Sequence, residues 1–307
     1  MKLISDATLP PIFIFHYIHP WNIFFLPVIV VVICILGLVG NGNVIWLLGF
    51  KIKRNSFTIY ILNLAVADVG VLISLLMIVL HFIFKGFLIE LFVDYPLFLM
   101  FYELFTLTYS SGQLLLTTIS IERCVSVLFP IWHRCHHPSH LSTTLCAFIW
   151  VLTFLLCGTN FTISTMSDYN TSIQKYKFII NALLCLSLLT FSSLALFIKI
   201  CFKSKQRKRG KLLTAILFAL LFFLILAFPL TAFYLISNLL NRVFVDFFII
   251  GILCSSLNSS VNPLIYFLVG RNKKAQSRES MKIILQRVFK EEEDSREQME
   301  PWGPTQA

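Results

Sequence analysis

The chain has 307 residues, of which 57% are hydrophobic and 13% are charged, and its mean hydropathy is +0.82. These values exclude a sizeable soluble domain and are typical of a membrane protein. The formal net charge is +10, but the basic clusters flank apolar segments. We therefore attribute the charge to contacts with anionic membrane lipid and expect no nucleic acid as a partner.

Seven apolar segments are long enough to cross the hydrocarbon core of a bilayer, about 30 Å thick, as helices. In chain order they are 27–50, 58–84, 97–129, 141–162, 178–200, 212–236 and 245–269. The sequence therefore predicts an all-α membrane protein, with a seven-transmembrane helix bundle over 27–269. An N-terminal segment (1–26) precedes the bundle, and a tail (270–307) follows it.

The basic residues predict how the bundle is oriented. When the loops are assigned alternately to the two sides of the membrane, 20 of the 25 Lys and Arg residues fall on the side that holds Arg123, and five fall on the other. Cytoplasmic loops carry such an excess of positive charge. We therefore expect a multi-pass protein with an extracellular N-terminus and a cytoplasmic C-terminus.

Charged side chains inside the predicted spans mark candidate sites. Asp68 ends the stretch LNLAVAD in the second span, and Arg123 follows Glu122 near the end of the third. A charge at the middle of the membrane costs roughly 2.5 kcal/mol or more, so such a residue is by default a functional candidate that faces a polar interior. Glu103 lies 20 residues before Arg123, about 30 Å along the same helix, and is expected at the outer mouth.

The spans contain no grouping of residues that would support catalysis or a metal. His81 is the single His within a span, and the tract HRCHHPSH (133–140) lacks the paired spacing of a zinc site. The eight Cys residues are scattered singly, and only Cys157 and Cys185 are expected at a similar depth. We predict no enzyme activity, no metal site and no disulfide.

Motifs at characteristic places occur in six of the seven spans. They are Gly40 and Asn41 in span one, Asp68 in span two, Glu122-Arg123-Cys124 in span three, Trp150 in span four, Pro229 in span six and Asn262-Pro263-Leu264-Ile265-Tyr266 in span seven. In this order they resemble the rhodopsin-like G-protein-coupled receptors over essentially the whole chain. Three longer stretches are similar to the Mas-related receptors of that class: RNSFTIYILNLAVAD (54–68), SIERCVSVLFPIWHRCHHP (120–138) and LNSSVNPLIYFLVG (257–270).

The resemblance implies that activation and G-protein coupling depend on six residues: Glu122, Arg123, Pro229, Asn262, Pro263 and Tyr266. Arg keeps its charge and offers five donors, so Arg123 can pair locally at rest and bind backbone carbonyls of a partner when active. Pro229 removes a hydrogen bond from span six and predicts a hinge. Arg209 stands where the class often has an acidic residue that locks the resting state, so we expect a leaky resting state.

In the resembled class, Asp68 belongs to a polar cluster with Asn258, Ser259 and Asn262 of span seven, which share one helical face. Carboxylate and hydroxyl oxygens suit a hard cation. The cluster is therefore either a sodium site or a hydrogen-bonded polar network, and both readings stay open. Gly112 and Thr108 replace the Ser and Asn that the class usually has in span three.

The expected ligand pocket is shallow and lies near the outer rim, because Ala227 takes the place of the Trp that precedes Pro229 in the class. Phe105 stands where amine receptors carry an Asp, which argues against a biogenic amine. Asn160 and Lys175 occupy the positions of an acidic pair in peptide-sensing relatives, which reverses the charge of the rim. The candidate pocket residues are Glu103, Phe105, Asn160, Lys175 and Asp246, and their mixed charges admit a zwitterion, a peptide or an anionic lipid.

Three further expectations concern the ends of the chain and the loops. Apolar residues at helical spacing over 281–288, flanked by basic residues, predict a short amphipathic eighth helix on the cytoplasmic face. Asn170-Thr171-Ser172 is a glycosylation sequon in the loop before span five. The disulfides of the resembled families are not expected, because Phe98 and Ser164 each occupy a position of one of them.

The sequence thus predicts a plasma-membrane receptor that binds an extracellular ligand of unknown class and activates a heterotrimeric G protein, of Gq or Gi type by resemblance. The alternative is a multi-span transporter that uses Asp68 and Arg123 in a polar path. A transporter should show internal repeats and discontinuous helices, and the sequence contains no evident repeat. A membrane hydrolase is the third class considered, but the spans of this chain contain no catalytic grouping of residues.

Overall fold

The computed structural model describes the backbone of residues 20–52, 55–87, 95–129, 138, 140–166, 183–185, 187–188, 190–192, 194–195, 198, 221–227, 229–236 and 245–270. These residues form α1 (Pro20–Phe50), α2 (Ser56–Phe87), α3 (Tyr95–Leu128), α4 (Leu141–Met166), α5 (Leu183–Ser192), α6 (Leu221–Ile236) and α7 (Val245–Gly270). They include no strand. The predicted all-α fold is confirmed, and the proposed eighth helix lies outside the described residues.

Among the residues that the structure describes, four helices are long and apolar enough to cross a membrane: α1 over Phe25–Phe50, α2 over Ser56–His81, α4 over Leu141–Thr159 and α7 over Phe248–Phe267. The described parts of α5 and α6 are apolar but shorter. On α1 and α4 many large apolar side chains are exposed, including Leu36, Phe50, Phe148 and Phe154. Such faces suit contact with lipid tails rather than water.

α3 is the least apolar of the five long helices, although its 34 residues extend about 51 Å. It carries Glu103, Glu122 and Arg123 together with many hydroxyl groups. The helix packs against α2 and α4, and most of its polar side chains are buried. Polar residues are tolerated on α3 because protein surrounds it and supplies hydrogen-bond partners.

Small residues set the closest helix contacts. A Cβ on Gly37 of α1 would overlap Ser260 Oγ of α7, and one on Gly40 would lie 3.2 Å from Pro263 Cβ. On α2, a Cβ at Gly70 would overlap the Thr108 side chain of α3. Glycine lets helices approach closely where lipid gives no hydrophobic drive to association. These contacts fix α1 against α7 and α2 against α3.

The apolar core has two parts, which meet at the level of Asp68. One part, at the end of the bundle that holds Arg123, includes Leu64 and Ala67 of α2. The other part, at the end that holds Glu103, begins on α2 with Val71. Asp68 lies between them, so the buried carboxylate sits where the two apolar clusters meet. These ends are called the Arg123 end and the Glu103 end below.

The helices extend beyond the apolar spans. α1 begins at Pro20 rather than at residue 27, and α4 continues to Met166 rather than to residue 162. Hydropathy finds only the part of a helix that lies in the hydrocarbon, whereas the backbone ladder continues into the polar interface. Pro27 lies inside α1, in its third turn.

Candidate functional site

Asp68 makes a buried contact between α2 and α7. Its side chain is 4% exposed, and Asn262 Nδ2 donates a hydrogen bond of 2.8 Å to Asp68 Oδ2. The Ser259 hydroxyl also faces the carboxylate. Buried carboxylates require such donors, because removal from water is costly. The structure therefore brings together three of the four residues expected in this cluster, and Asn258 is also buried on α7.

The oxygen atoms available for a cation near Asp68 are few. Asp68 and Ser259 supply a carboxylate and a hydroxyl, whereas Asn262 turns its amide donor toward the carboxylate. Thr108 Oγ1 donates to the Leu104 carbonyl of its own helix at 2.8 Å, and Gly112 has no side chain. A hard cation prefers about six oxygen ligands. The residues fit a polar network fully and a sodium ion only with water as additional ligands.

Asn41 completes this region from α1. Pro263 has no backbone N–H, so the carbonyl four residues earlier, on Ser259, lacks its helical partner. Asn41 Nδ2 donates to that carbonyl at 2.9 Å and to the Gly37 carbonyl at 3.0 Å. Sequence reasoning identified Asn41 and Pro263 only as separate motifs. The carbonyl that Pro263 leaves unpaired within its own helix is the signal that could have joined them.

Arg123 lies against an aromatic ring of α2. Its Cζ atom is 4.0 Å from the centre of the Phe57 ring, which is a cation–π distance. Glu122 lies with the hydroxyls of Tyr60 on α2 and Ser142 on α4, both fully buried. The Glu122-Arg123 pair is therefore packed against the first turns of α2, a contact that the sequence did not suggest.

Aromatic side chains tie α3 to α6 and α7 at the Glu103 end. The Tyr102 and Tyr234 hydroxyls are 3.0 Å apart and join α3 to α6. Phe233 contacts both Tyr234 and Phe248 of α7, with ring centres 5.2 Å apart in each case. Hydroxyl hydrogen bonds and tilted ring pairs are both stabilising when buried. We call the residues Tyr102, Phe233, Tyr234 and Phe248 the aromatic bridge.

Two residues of the expected pocket, Glu103 and Phe105, lie on α3 close to Tyr102 of this bridge. Glu103 is only 7% exposed, so it is a buried carboxylate rather than a solvated residue of the rim. Phe105 is buried and stacks on Tyr109, with ring centres 5.3 Å apart. Ala227 of α6 has no exposed surface, so neighbouring side chains fill the space around it. From the aromatic bridge toward the Arg123 end, the described part of the bundle is therefore closely packed.

α6 is helical on both sides of Pro229. The missing N–H removes the ladder bond to the carbonyl of Ile225. Beyond the proline, Leu230 packs on Gly251 of α7, where a Cβ would lie 2.8 Å from Leu230 Cδ1. The Arg123-end part of α6 is therefore joined to the rest through a weakened backbone.

Hydroxyl groups of α3 reach two further helices. Ser111 and Thr153 of α4 are 2.8 Å apart, and Ser120 and Ser192 of α5 are 2.5 Å apart. Trp150 Nε1 of α4 donates to Asn63 Oδ1 of α2 at 3.0 Å. Ser111 and Ser120 are nine residues apart and so lie on opposite faces of α3, which is why they meet different helices.

The transporter alternative required a polar path from Asp68 to Arg123. Apolar core residues, including Leu64, Leu115 and Ile119, lie between them. The two charges occupy separate clusters, with different partners. The structure therefore gives no support to a continuous polar path through the described part of the bundle.

Several predicted features lie outside the described residues. Lys175, Asn170, Arg209 and the tail are among them, and Asn160 and Asp246 lie in α4 and α7 with side chains that are not described. Six Cys residues of the described part, including Cys157 and Cys185, are reduced. Within that part no group of three or more His, Cys, Asp or Glu residues could hold a metal.

Comparison with known proteins gives one family model and several relatives. Residues 40–266 match the model described as 7 transmembrane receptor (rhodopsin family). The chain is 35% identical to Proto-oncogene Mas of Rattus norvegicus over 303 residues, which covers 94% of this chain and 87% of that protein. It is 34% identical to Mas-related G-protein coupled receptor member A8 of Mus musculus over 285 residues, 88% of this chain and 90% of the relative. Against Mas-related G-protein coupled receptor member D of Macaca fascicularis it is 37% identical over 276 residues, 84% and 83% of the two chains.

Proposed function

Since this chain belongs to the rhodopsin family of seven-transmembrane receptors, and within it to the Mas-related G-protein-coupled receptors, we propose that it binds an extracellular ligand and activates a heterotrimeric G protein. The ligand binds at the Glu103 end and the G protein at the Arg123 end. The observation that carries the proposal is Arg123 itself, a guanidinium held on an aromatic face near the end of α3. A G protein that presents backbone carbonyls can accept hydrogen bonds from this guanidinium.

The ligand pocket lies on the outer side of the aromatic bridge, which is the side away from Arg123. The Tyr102–Tyr234 contact and the buried Phe105–Tyr109 stack form its floor, which keeps the ligand near the outer rim. Asn160, Lys175 and Asp246 border the pocket on the sides for which the structure describes no side chains. Lys175 and Asp246 give this region mixed charge, which suits a peptide, a zwitterion or an anionic lipid.

Activation proceeds by a shift between two helix arrangements that the ligand stabilises unequally. Pro229 allows the Arg123-end part of α6 to swing outward. The missing ladder bond at Pro263 allows α7 to rearrange once the bond between Asn262 and Asp68 breaks, and Tyr266 moves with it. Arg123 leaves Phe57 and donates to the G protein in the cleft that opens.

The Asp68 cluster stabilises the resting arrangement as a polar network, either alone or with a sodium ion and water. Sodium, when bound, supplies a positive charge that Asp68 and Ser259 hold between α2 and α7. The receptor lies in the plasma membrane with its N-terminus outside, an amphipathic helix at 281–288 on the inner leaflet and a glycan at Asn170. Coupling is to a G protein of the Gq or Gi type.

The test is nucleotide exchange on purified Gq- and Gi-type heterotrimers by the receptor in lipid nanodiscs. Arg209 stands where an acidic lock would lie, so we expect measurable exchange without agonist. Arg123→Ala should reduce exchange to the background of empty nanodiscs while it leaves the amount of folded receptor unchanged. Lys51→Ala is the matched control, since Lys51, just after the end of α1, also lies on an aromatic ring, 5.4 Å from the centre of the Trp46 ring. Full exchange by Arg123→Ala would refute the role assigned to Arg123.

A further inference from the structure

Phe57 lies in the first turn of α2, and a reciprocal cap fixes that turn. Asn55 Oδ1 accepts a hydrogen bond of 2.8 Å from the Thr58 backbone N–H, and Thr58 Oγ1 accepts one of 2.7 Å from the Asn55 backbone N–H. Such a pair satisfies donors that a helix start would leave without partners. Phe57, which is 2% exposed, therefore has a fixed position before Arg123 meets it.

The ring face is the part of Phe57 that Arg123 uses. The guanidinium lies 4.0 Å from the ring centre, within the range in which the negative face of the ring attracts a cation. One turn further along α2, the Tyr60 hydroxyl lies beside Glu122. Both members of the Glu122-Arg123 pair thus have a contact on consecutive turns of one helix, and that helix is held by its own cap.

We infer that Phe57 is a positioning residue that retains Arg123 in the resting receptor by a cation–π contact. This inference rests on the proposed function. In the proposed activation Arg123 leaves the Phe57 ring to donate to the G protein, so the contact is lost on activation. An interaction present only in the resting state lowers the population of the active state. In this receptor α2 therefore supplies a resting contact that does not depend on an acidic residue in span six.

The alternative role of Phe57 is packing alone, because it belongs to the core at the Arg123 end. Packing and cation–π attraction can be separated by substitution. Phe57→Leu keeps an apolar side chain and removes the ring, whereas Phe57→Tyr keeps the ring face. Ile61→Val is the matched packing control, since Ile61 lies one turn away in the same cluster and is equally buried.

The experiment measures agonist-independent nucleotide exchange by each variant in nanodiscs, normalised to folded receptor. Loss of a partly desolvated cation–π contact should raise the active fraction, and with it the exchange rate, about 2- to 30-fold in Phe57→Leu. Phe57→Tyr and Ile61→Val should stay at the wild-type rate.

Equal rates for Phe57→Leu and Ile61→Val, with clear exchange by the wild type, would overturn the cation–π role and leave the proposed function intact. A complete absence of exchange by the wild type and all variants on every heterotrimer would instead overturn the proposed function, and this inference with it. Phe57→Met, whose flexible side chain adapts to irregular gaps, takes the place of Phe57→Leu if the latter does not fold, and the same comparison with Ile61→Val decides.

Discussion

Substitution of Gly70 by Ala tests the contact between α2 and α3. A Cβ at Gly70 would overlap Thr108 Cγ2 and lie 2.9 Å from Thr108 Cβ. Thr108 cannot rotate away without loss, because its hydroxyl is hydrogen-bonded to the Leu104 carbonyl at 2.8 Å. Overpacking of this kind costs about 1–3 kcal/mol. Alanine also favours a helix interior over glycine by roughly 0.5–1 kcal/mol, which opposes that cost.

Gly42→Ala separates the two effects, since a Cβ at Gly42 of α1 would meet nothing within 4 Å. The helix gain is common to both variants, so Gly70→Ala should be less stable than Gly42→Ala by the overpacking cost, about 1–3 kcal/mol. Thermal unfolding in detergent can be followed with a thiol-reactive dye, because Cys34, Cys146 and Cys185 are buried until the bundle opens.

The identity of the colliding group can be tested by a second change. Thr108→Ser removes the methyl group and keeps the hydroxyl, so it should restore most of the stability lost in Gly70→Ala when the two are combined. The reasoning would be refuted if Gly70→Ala and Gly42→Ala unfolded at the same temperature. It would also fail if Thr108→Ser gave no recovery beyond its own effect in wild type.

Two predictions concern ions and ligands. If the Asp68 cluster binds sodium, a rise in sodium concentration should lower agonist affinity in wild type and have no effect in Asp68→Asn; equal responses would exclude the ion and leave the polar network. The double change Lys175→Asp with Asn160→Glu should create responses to polybasic peptides, with a gain of about 1–3 kcal/mol, or roughly 5- to 150-fold in affinity. Calcium release in transfected cells measures the gain, and activation of the wild type by such peptides at low concentration would contradict the repulsion assigned to Lys175.

Much of the fold was accessible from the sequence because the bilayer restricts what a chain can do. A spanning segment must satisfy its backbone internally, so apolar length alone predicts a helix. The bounds were less accurate, as α1 shows: its helix begins at Pro20, seven residues before the apolar span. α3 was predicted from length and from Glu122-Arg123, although its polarity makes it the weakest hydropathy signal among the long helices.

The site could be predicted only where residue chemistry required a partner. Asp68 demanded donors, and the Asn262 amide at 2.8 Å supplies one. The contact of Arg123 with Phe57 could not be foreseen, because a ring near a cation has no sequence spacing of its own and depends on how α2 and α3 pack. Glu103 was expected in the rim, yet it is buried, since position along a helix gives depth but not the direction that a side chain faces.

The two buried polar contacts of α7 also bear on how the protein is made. Asn41 reaches the Ser259 carbonyl across 218 residues, and Asp68 reaches Asn262 across 194. α1 and α2 are synthesised long before α7, so Asn41 and Asp68 lack these partners until α7 is made. A chain truncated before α7 would keep Asn41 and Asp68 in the bilayer without their partners on α7. α7 therefore supplies the partners that these two side chains need, and we expect loss of α7 to expose the truncated product to membrane quality control.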